Sequence, residues 1–489
     1  MKRMVFIIVV SQALAGQASA QQTSPGTSSM LLGAPVGAGA RAMGMGGAFI
    51  AVADDATAAS WNPAGLALLD RPQASFAGDA SRIVDAAPSY ELTRAFNSGL
   101  RSVETGPASS STRRSRDPAF ASFVYPLTLR GWRVVPQFSY RRAVKADFSR
   151  RASQPYVYSE STGFRETGRD EVTFDGGRGI DLYSVGAGVR VHRIVAVGAT
   201  VNVWRGRSDS TDIRVVTGGY SLGTASGVLD PSSYRTTYEE TFDGTNVDLG
   251  VLVSPLHRLR IGAVVRKNLT VTRAYSYTRQ YANWAGGITS QTYGEHGDIA
   301  WPLSVGVGAA VMPADALTVS TDYTRSSWSK ATYHFTSSDV QTINGRGATI
   351  QTSGEVVYPA MYDPSSPARP YFNVPQHDSW QLRSGAEFVW RRSASRALAS
   401  MPFRAGVYRN RSFLPRSNGD GRAGIGMTAG AGVLWRRLAL NVAYVREAVS
   451  GKIAEFPMTA FGGFSVAQQE SGADRAVLRQ FLLSIGARF

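Results

Sequence analysis

The chain has 489 residues and no cysteine, which excludes disulfide cross-links and thiolate metal sites. Its formal net charge is +16, but the arginines lie in scattered local pairs, such as Arg113 with Arg114 and Arg150 with Arg151. This distribution argues against nucleic acid as a partner and suits solvated loops or contacts with anionic lipid head groups. The five histidines are dispersed, so no metal or other cofactor is expected.

Residues 1–20 have the layout of a secretory signal. Lys2 and Arg3 precede the apolar run Met4–Val10, and small residues follow at positions 18–20. The apolar run is too short to cross a bilayer as a helix. We therefore expect residues 1–20 to be removed on export.

Residues 21–70 do not fit a membrane-spanning strand, because they are rich in alanine and glycine and lack alternation. Asp54 and Asp55 precede the run Ala56–Ser60, and either carboxylate is suited to cap the N-terminus of a short helix there. Small side chains let backbone pack against backbone. The segment therefore predicts a compact plug rather than part of a wall.

The short helix should end at Asn62. Pro63 disfavours helical backbone at the residue before it, so the chain should turn through Ala64 and Gly65. Asn62, Pro63 and Ala64 thus mark a defined turn inside the plug.

Residues 71–489 alternate between apolar and polar side chains in many short segments. At the C-terminus, Phe481, Leu483 and Ile485 fall on one face, whereas Gln480 and Ser484 fall on the other. Fourteen such segments are predicted as strands: about 71–79, 118–126, 131–142, 179–191, 193–205, 245–254, 258–267, 300–311, 315–325, 379–391, 402–410, 423–435, 438–446 and 477–489. Long polar connections alternate with short turns between them. This arrangement predicts an all-β fold, a closed antiparallel β-barrel that crosses an outer membrane.

Tryptophans occur at the predicted strand ends on the apolar face. Such residues form girdles at the two interfaces of a membrane barrel. The predicted girdle residues are Trp132, Trp301, Trp380, Trp390 and Trp435.

Two features inside the predicted wall are candidates for function. Arg383, Glu387 and Arg404 have the parity of lumen-facing residues, where they could bind a carboxylate head group or form a structural network that fixes the plug. Pro136 lies within the third predicted strand and cannot donate a ladder hydrogen bond, so it requires a bulge or a gap beside it. Such a gap is either a local irregularity or a lateral opening.

The run from Gly39 to Leu66, "GARAMGMGGAFIAVADDATAASWNPAGL", resembles the N-terminal hatch of the FadL/TodX-type outer-membrane transporters. The Asn-Pro-Ala motif of that hatch matches Asn62, Pro63 and Ala64. The resemblance implies a fourteen-stranded barrel whose lumen holds the hatch and which carries hydrophobic small molecules, such as long-chain fatty acids or aromatic hydrocarbons. It also implies a lateral exit at a kink in the third strand. PorV-type barrels of a protein-secretion system share the motif and imply a different function.

These expectations divide the chain into a signal at 1–20, a hatch at 21–70 and a barrel at 71–489. We expect a monomer in the outer membrane of a Gram-negative bacterium, in contact with membrane lipid and lipopolysaccharide. The terminal Phe489 resembles the signal that the barrel-assembly machinery reads. An enzyme is not expected, because "GYSLG" at 219–223 lacks the strand-turn-helix context of a nucleophile elbow. A membrane-embedded enzyme and a purely structural barrel are the two remaining hypotheses.

Overall fold

The computed structural model describes residues 37–87, 89–96, 101–145, 149–282, 288–330, 332–343, 350–359, 378–391, 398–415, 421–450, 464–470 and 475–489. The predicted signal at 1–20 lies outside the described residues. So do residues 21–36 of the predicted hatch.

The described strands are β1 (Gln73–Ala87), β2 (Tyr90–Phe96), β3 (Arg101–Gly106), β4 (Ser109–Val124), β5 (Leu127–Leu129), β6 (Trp132–Lys145), β7 (Ser149–Glu160), β8 (Phe164–His192), β9 (Val195–Leu222), β10 (Ala225–Leu256), β11 (Leu259–Arg266), β12 (Leu269–Ala282), β13 (Ile288–Trp301), β14 (Ser304–Ala314), β15 (Leu317–Ser326), β16 (Thr332–Ile343), β17 (Ile350–Pro359), β18 (Ser379–Trp390), β19 (Leu398–Pro415), β20 (Gly421–Trp435), β21 (Leu438–Ser450), β22 (Phe464–Glu470) and β23 (Arg475–Arg488).

Fourteen of these strands close into one antiparallel ring, and each overlaps one of the fourteen predicted segments. The order round the ring is β1, β4, β6, β8, β9, β10, β11, β14, β15, β18, β19, β20, β21 and β23. The ring closes where β23 pairs with β1, from Gln73 opposite Arg488 to Ala86 opposite Arg475. Closure leaves no free edge in the wall. The predicted β-barrel is confirmed.

Three strands extend far beyond the ring. β8, β9 and β10 have 29, 28 and 32 residues, whereas about 9–11 residues suffice to cross a bilayer. Their outer halves pair with each other and with β7 and β12. The long polar connections that the strand segments leave at 143–178 and 206–244 are therefore mostly strand. Polar residues are frequent on both faces of these halves, so the sequence shows no sustained alternation there. We call this side of the barrel the long-strand end and the opposite side the short-turn end.

The outward face of the ring is apolar. Phe138, Met427 and Phe481 are among its most exposed side chains, at 60%, 60% and 63%. Trp132, Trp390 and Trp435 also point outward and are exposed. The alternation of the sequence therefore reflects two surroundings, an apolar one outside the wall and a packed one inside it.

Trp301 is not a girdle residue, and that prediction was wrong. β13 ends at Trp301 and β14 begins at Ser304, so Pro302 and Leu303 separate the tryptophan from the strand whose parity predicted its direction. Its ring packs against Trp204 and Trp328, at centroid distances of 5.4 and 5.9 Å.

Residues 37–70, here called the lumen segment, fill the interior of the ring. They form helix α1 (Ala40–Gly44) and two 3₁₀ helices, Ala58–Ser60 and Pro63–Leu68; a third 3₁₀ helix is Trp328–Lys330. Nearly every side chain of the segment is buried. Glycines of the wall make room for its backbone, since a Cβ on Gly385 would collide with the carbonyl oxygen of Met45. None of the described helices is long and apolar enough to cross a membrane.

Candidate functional site

The lumen segment turns at Asn62, whose side chain is fully buried. The Asn62 carboxamide oxygen accepts a hydrogen bond from the Ala64 amide at 3.1 Å, which caps the 3₁₀ helix that begins at Pro63. Its Nδ2 donates to the carbonyls of Ile50, at 3.0 Å, and Val251 of β10, at 3.1 Å. Asn62 thus joins two parts of the lumen segment to the wall, and Pro63 supplies the fixed backbone angle for the turn.

Charged side chains hold the lumen segment at the short-turn end. Arg41 donates to Glu387 of β18 at 2.8 Å and to Asp54 at 2.6 Å. Arg404 of β19 donates to the other oxygen of Glu387 at 2.6 Å, and Arg260 of β11 donates to Asp54 at 3.1 Å. The Glu387 and Arg404 side chains are only 7% and 2% exposed, whereas Arg41, Arg260 and Asp54 are partly exposed, so the network is buried at Glu387. We call it the ion network.

The helix predicted through Ala56–Ser60 is a 3₁₀ helix at Ala58–Ser60, and Asp54 does not cap it, whereas Asp55 caps the turn that leads into it, since its carbonyl accepts from the Ala58 amide at 2.9 Å. Thr57 occupies the N-cap position and makes no side-chain cap. The Asp55 carboxylate accepts hydrogen bonds from the Thr57 amide and hydroxyl, at 2.9 and 2.6 Å. Burial alone would raise the pKa of Asp54, but the pKa is lowered because Arg41 and Arg260 face its carboxylate. Ion pairing, rather than local capping, determines where Asp54 lies.

Arg383 lies apart from the ion network. Its guanidinium donates to the carbonyl of Gly46 at 2.9 Å and to the Gln381 side chain. Beside it, Asp322 of β15 accepts from the amides of Phe49 and Ile50, at 2.5 and 2.8 Å. The sequence reasoning did not single out Asp322, although its parity on the predicted strand 315–325 would have placed it inside the ring.

Pro136 lies on β6, at the point where the pairing of β6 with β4 stops. β4 ends at Val124 and β5 begins at Leu127, with Tyr125 and Pro126 between them. The Tyr125 amide donates to the Pro136 carbonyl at 3.2 Å. In an antiparallel ladder the amide of residue 136 would return that bond, and proline has none to donate. On its other side β6 stays in register, with Pro136 opposite Ala187 of β8.

The line along which β4 and β6 pair, here called the seam, also contacts the lumen segment. The carbonyl of Ala56 accepts hydrogen bonds from Ser122 of β4, at 2.6 Å, and from Gln137 of β6. Gln137 also accepts from the Ala59 amide at 3.1 Å. One carbonyl of the lumen segment therefore connects both strands beside the proline.

A cavity of about 70 Å³ lies between the lumen segment and the long-strand end. Trp61 of the lumen segment forms one wall, and Trp204, Trp301 and Trp328 form the other. Arg266 and Asp322 are among its polar lining residues. Apolar rings with a few convergent polar groups are typical of sites for small organic ligands. Among the described residues no group of three potential metal ligands comes together.

Comparison with known proteins bears on the fold. No protein-family model matches the chain, and no curated protein matches it. A FadL homologue from Pseudomonas aeruginosa is similar in structure, with 12% sequence identity and a TM-score of 0.51 over 93% of this chain and 99% of that one. The toluene transporter TodX of P. putida gives 13% identity and a TM-score of 0.50 over 93% and 99% of the two chains. The chain therefore has the FadL-type barrel fold that its sequence predicted.

Proposed function

We propose that the chain is an outer-membrane channel for hydrophobic small molecules, with long-chain fatty acids and aromatic hydrocarbons as the candidate ligands. The observation that supports this most is the tryptophan-lined cavity above a lumen filled by residues 37–70. An open aqueous pore would admit apolar solutes poorly, whereas apolar rings favour them by removing their surface from water. The similar structures include a toluene transporter.

The cavity is the proposed capture site. Pockets for organic ligands commonly have about 300–1,000 Å³, and a cavity of about 150 Å³ holds one benzene, so this cavity must widen before it holds a whole ring. Passage of a whole ligand then requires the lumen segment or the tryptophan rings to move. The ion network at the short-turn end would keep the lumen segment attached during that movement.

The proposed exit is lateral, through the seam between β4 and β6. Three observations support it: the missing amide at Pro136, the break between β4 and β5, and the carbonyl of Ala56 that connects both strands. A shift of the backbone at Ala56, two residues beyond the attached Asp54, would release Ser122 and Gln137 together. The ligand would then leave sideways into the apolar layer, which is the more favourable medium for it.

Uptake by cells tests the proposal. A strain that lacks the gene is given labelled toluene or oleate, with the gene restored as wild type, as Trp301→Ala or as Trp435→Ala. We expect restored uptake of at least one ligand with the wild type and with the outward-facing Trp435→Ala control. Trp301→Ala should weaken capture about tenfold, the equivalent of about 1.4 kcal/mol.

Two results would contradict the proposal. Unchanged uptake of every apolar ligand after deletion would exclude transport, and loss of a secreted surface protein from the same strain would favour the secretion role. Equal losses in the two tryptophan variants would mean that the cavity is not the capture site.

A further inference from the structure

Four arginines stand side by side on the outer face of the wall. They are Arg114 on β4, Arg82 on β1, Arg479 on β23 and Arg446 on β21. The register places Arg114 opposite Arg82, Arg82 opposite Arg479, and Arg479 opposite Arg446. Directly opposed residues of an antiparallel ladder share a face, with Cβ atoms about 4.5–5.5 Å apart. We call this set the arginine row; all four side chains are exposed.

The arginine row lies at the outer edge of the apolar band. Phe481, two residues from Arg479 on the same face, points outward with 63% exposure and packs on Tyr444 at 4.9 Å. Outward residues from Phe489 to Phe481 are apolar along β23. About ten residues at about 3.3 Å each, tilted by about 40°, rise roughly 25 Å, which is the height of the apolar band in membrane barrels. Arg479 is the next outward residue of β23 after this apolar band, on the side of the long-strand end.

The arginine row lacks counter-charges on its face. The next residues on that face further from the apolar band are Val84, Thr112, Val477 and Ala448, and those nearer to it are Ala80, Arg116, Phe481 and Tyr444. Arg116 thus adds a fifth cation. Within the described part of the chain none of the four arginines is ion-paired, whereas outward-facing Arg325 pairs with Asp378 at 2.7 Å. Like charges directly opposite each other destabilise a sheet unless an anion lies between them.

We propose that the arginine row binds the phosphate groups of lipopolysaccharide in the outer leaflet. Guanidinium groups pair with phosphate oxygens through two parallel hydrogen bonds, and four adjacent strands place such groups along about 15 Å of wall. The apolar side chains next to the row would contact the acyl chains of the same lipid. The inference rests on the proposed outer-membrane location and does not depend on the transported ligand.

Lipid binding by the purified full-length protein in detergent tests the inference. The probes are lipopolysaccharide with its phosphates, the same lipid after their enzymatic removal, and inorganic phosphate as a competitor. The proteins are the wild type, Arg82→Gln with Arg479→Gln, the variant with all four arginines changed to Gln, and Arg325→Gln as a control that removes an outward, ion-paired cation.

We expect the wild type and Arg325→Gln to bind the phosphorylated lipid more than tenfold tighter than the dephosphorylated lipid. The double variant should lose most of that preference and the fourfold variant all of it. Replacement of the same residues by lysine should restore part of the preference, because charge remains while the paired geometry is lost. Circular dichroism shows whether each variant is folded. If the variant with four changes does not fold, the double variant alone tests the loss of preference.

Equal binding of the two lipids by the wild type would overturn the inference. So would competition by inorganic phosphate at the concentration of the lipid, which would mean a site for free anions. Uptake of hydrophobic ligands in the same variants distinguishes this failure from a failure of the transport proposal, because no residue of the row lines the cavity.

Discussion

The two ends of the lumen segment are held by different kinds of contact. At the short-turn end, Arg41 is paired with Glu387 and Asp54 in a network of charges that is buried at Glu387. At the long-strand end, the rings of Phe49 and Trp61 pack edge to face at 5.8 Å, and Trp61 borders the cavity. The Trp61 ring can shift beside the cavity without leaving a charge unpaired, although Asp322 holds the backbone of Phe49. Arg41 cannot leave Glu387 without breaking a buried ion pair.

This difference indicates which end of the lumen segment can rearrange at the lower cost in free energy. Separating one partner of a buried ion pair costs about 3–5 kcal/mol, whereas an aromatic pair contributes about 0.5–1.5 kcal/mol beyond its buried area. We therefore expect the lumen segment to rearrange next to the cavity while its other end stays attached. Substitutions at the two ends should separate these roles.

The largest effect is expected at the ion network. Glu387→Gln leaves Arg404 without its counter-charge and Arg41 with Asp54 and Asp55 alone, and we expect a loss of about 3–5 kcal/mol in the free energy of unfolding. Denaturant unfolding in detergent measures it. Conductance in a planar bilayer should rise as well, because the lumen segment loses its attachment at the short-turn end.

A matched control is available for this change. Asp315 pairs with Arg258 at 3.4 Å, but the Asp315 side chain is 86% exposed. Asp315→Asn should leave stability and conductance unchanged, because exposed pairs contribute little. If both variants behaved alike, the ion network would not be the attachment.

A smaller effect is expected at Asn62. Asn62→Ala leaves the Ala64 amide and the carbonyls of Ile50 and Val251 without this partner, and an unsatisfied buried group costs about 1–3 kcal/mol. Guanidinium unfolding and limited proteolysis of the lumen segment measure the loss. Asn62→Asp keeps the acceptor for Ala64 but loses both donated bonds, so its stability should also fall. A fully stable Asn62→Ala would mean that Pro63 alone fixes the turn.

The wall was predictable because each ring strand contacts two different surroundings. Val305, Val307 and Val311 alternate with small residues along β14, and that period of two identified the strand. The outer halves of β9 and β10 have polar residues on both faces, so the same rule predicted a loop at 206–244. Trp301 shows a second reason for failure. The strand breaks at Pro302, so the direction of the Trp301 side chain no longer follows from the alternation along β14, although the sequence still alternates across the break.

The lumen segment was predictable only where its structure is local. Pro63 restricts the residue before it, so the turn at Asn62 could be predicted from neighbouring residues, although the preceding helix already ends at Ser60. The partners of Asp54 could not, because Arg260 is 206 residues away in the chain. The clustering of Glu387 with Arg404 followed from strand parity, but the third member, Arg41, needed the three-dimensional fold.

The smallest effect is expected at Pro136. Pro136→Val supplies the amide that would return the bond from Tyr125, and a restored hydrogen bond should stabilise the barrel by about 0.5–1.5 kcal/mol. If ligand leaves through this seam, uptake of toluene should slow several-fold while binding by the purified protein stays the same. Pro118→Val is the control, because Pro118 faces the neighbouring seam between β1 and β4 beside the bulge at Ala77 and Gly78. Equal uptake by the wild type and both variants would place the exit elsewhere, because a tighter seam would then have no effect on the path of the ligand.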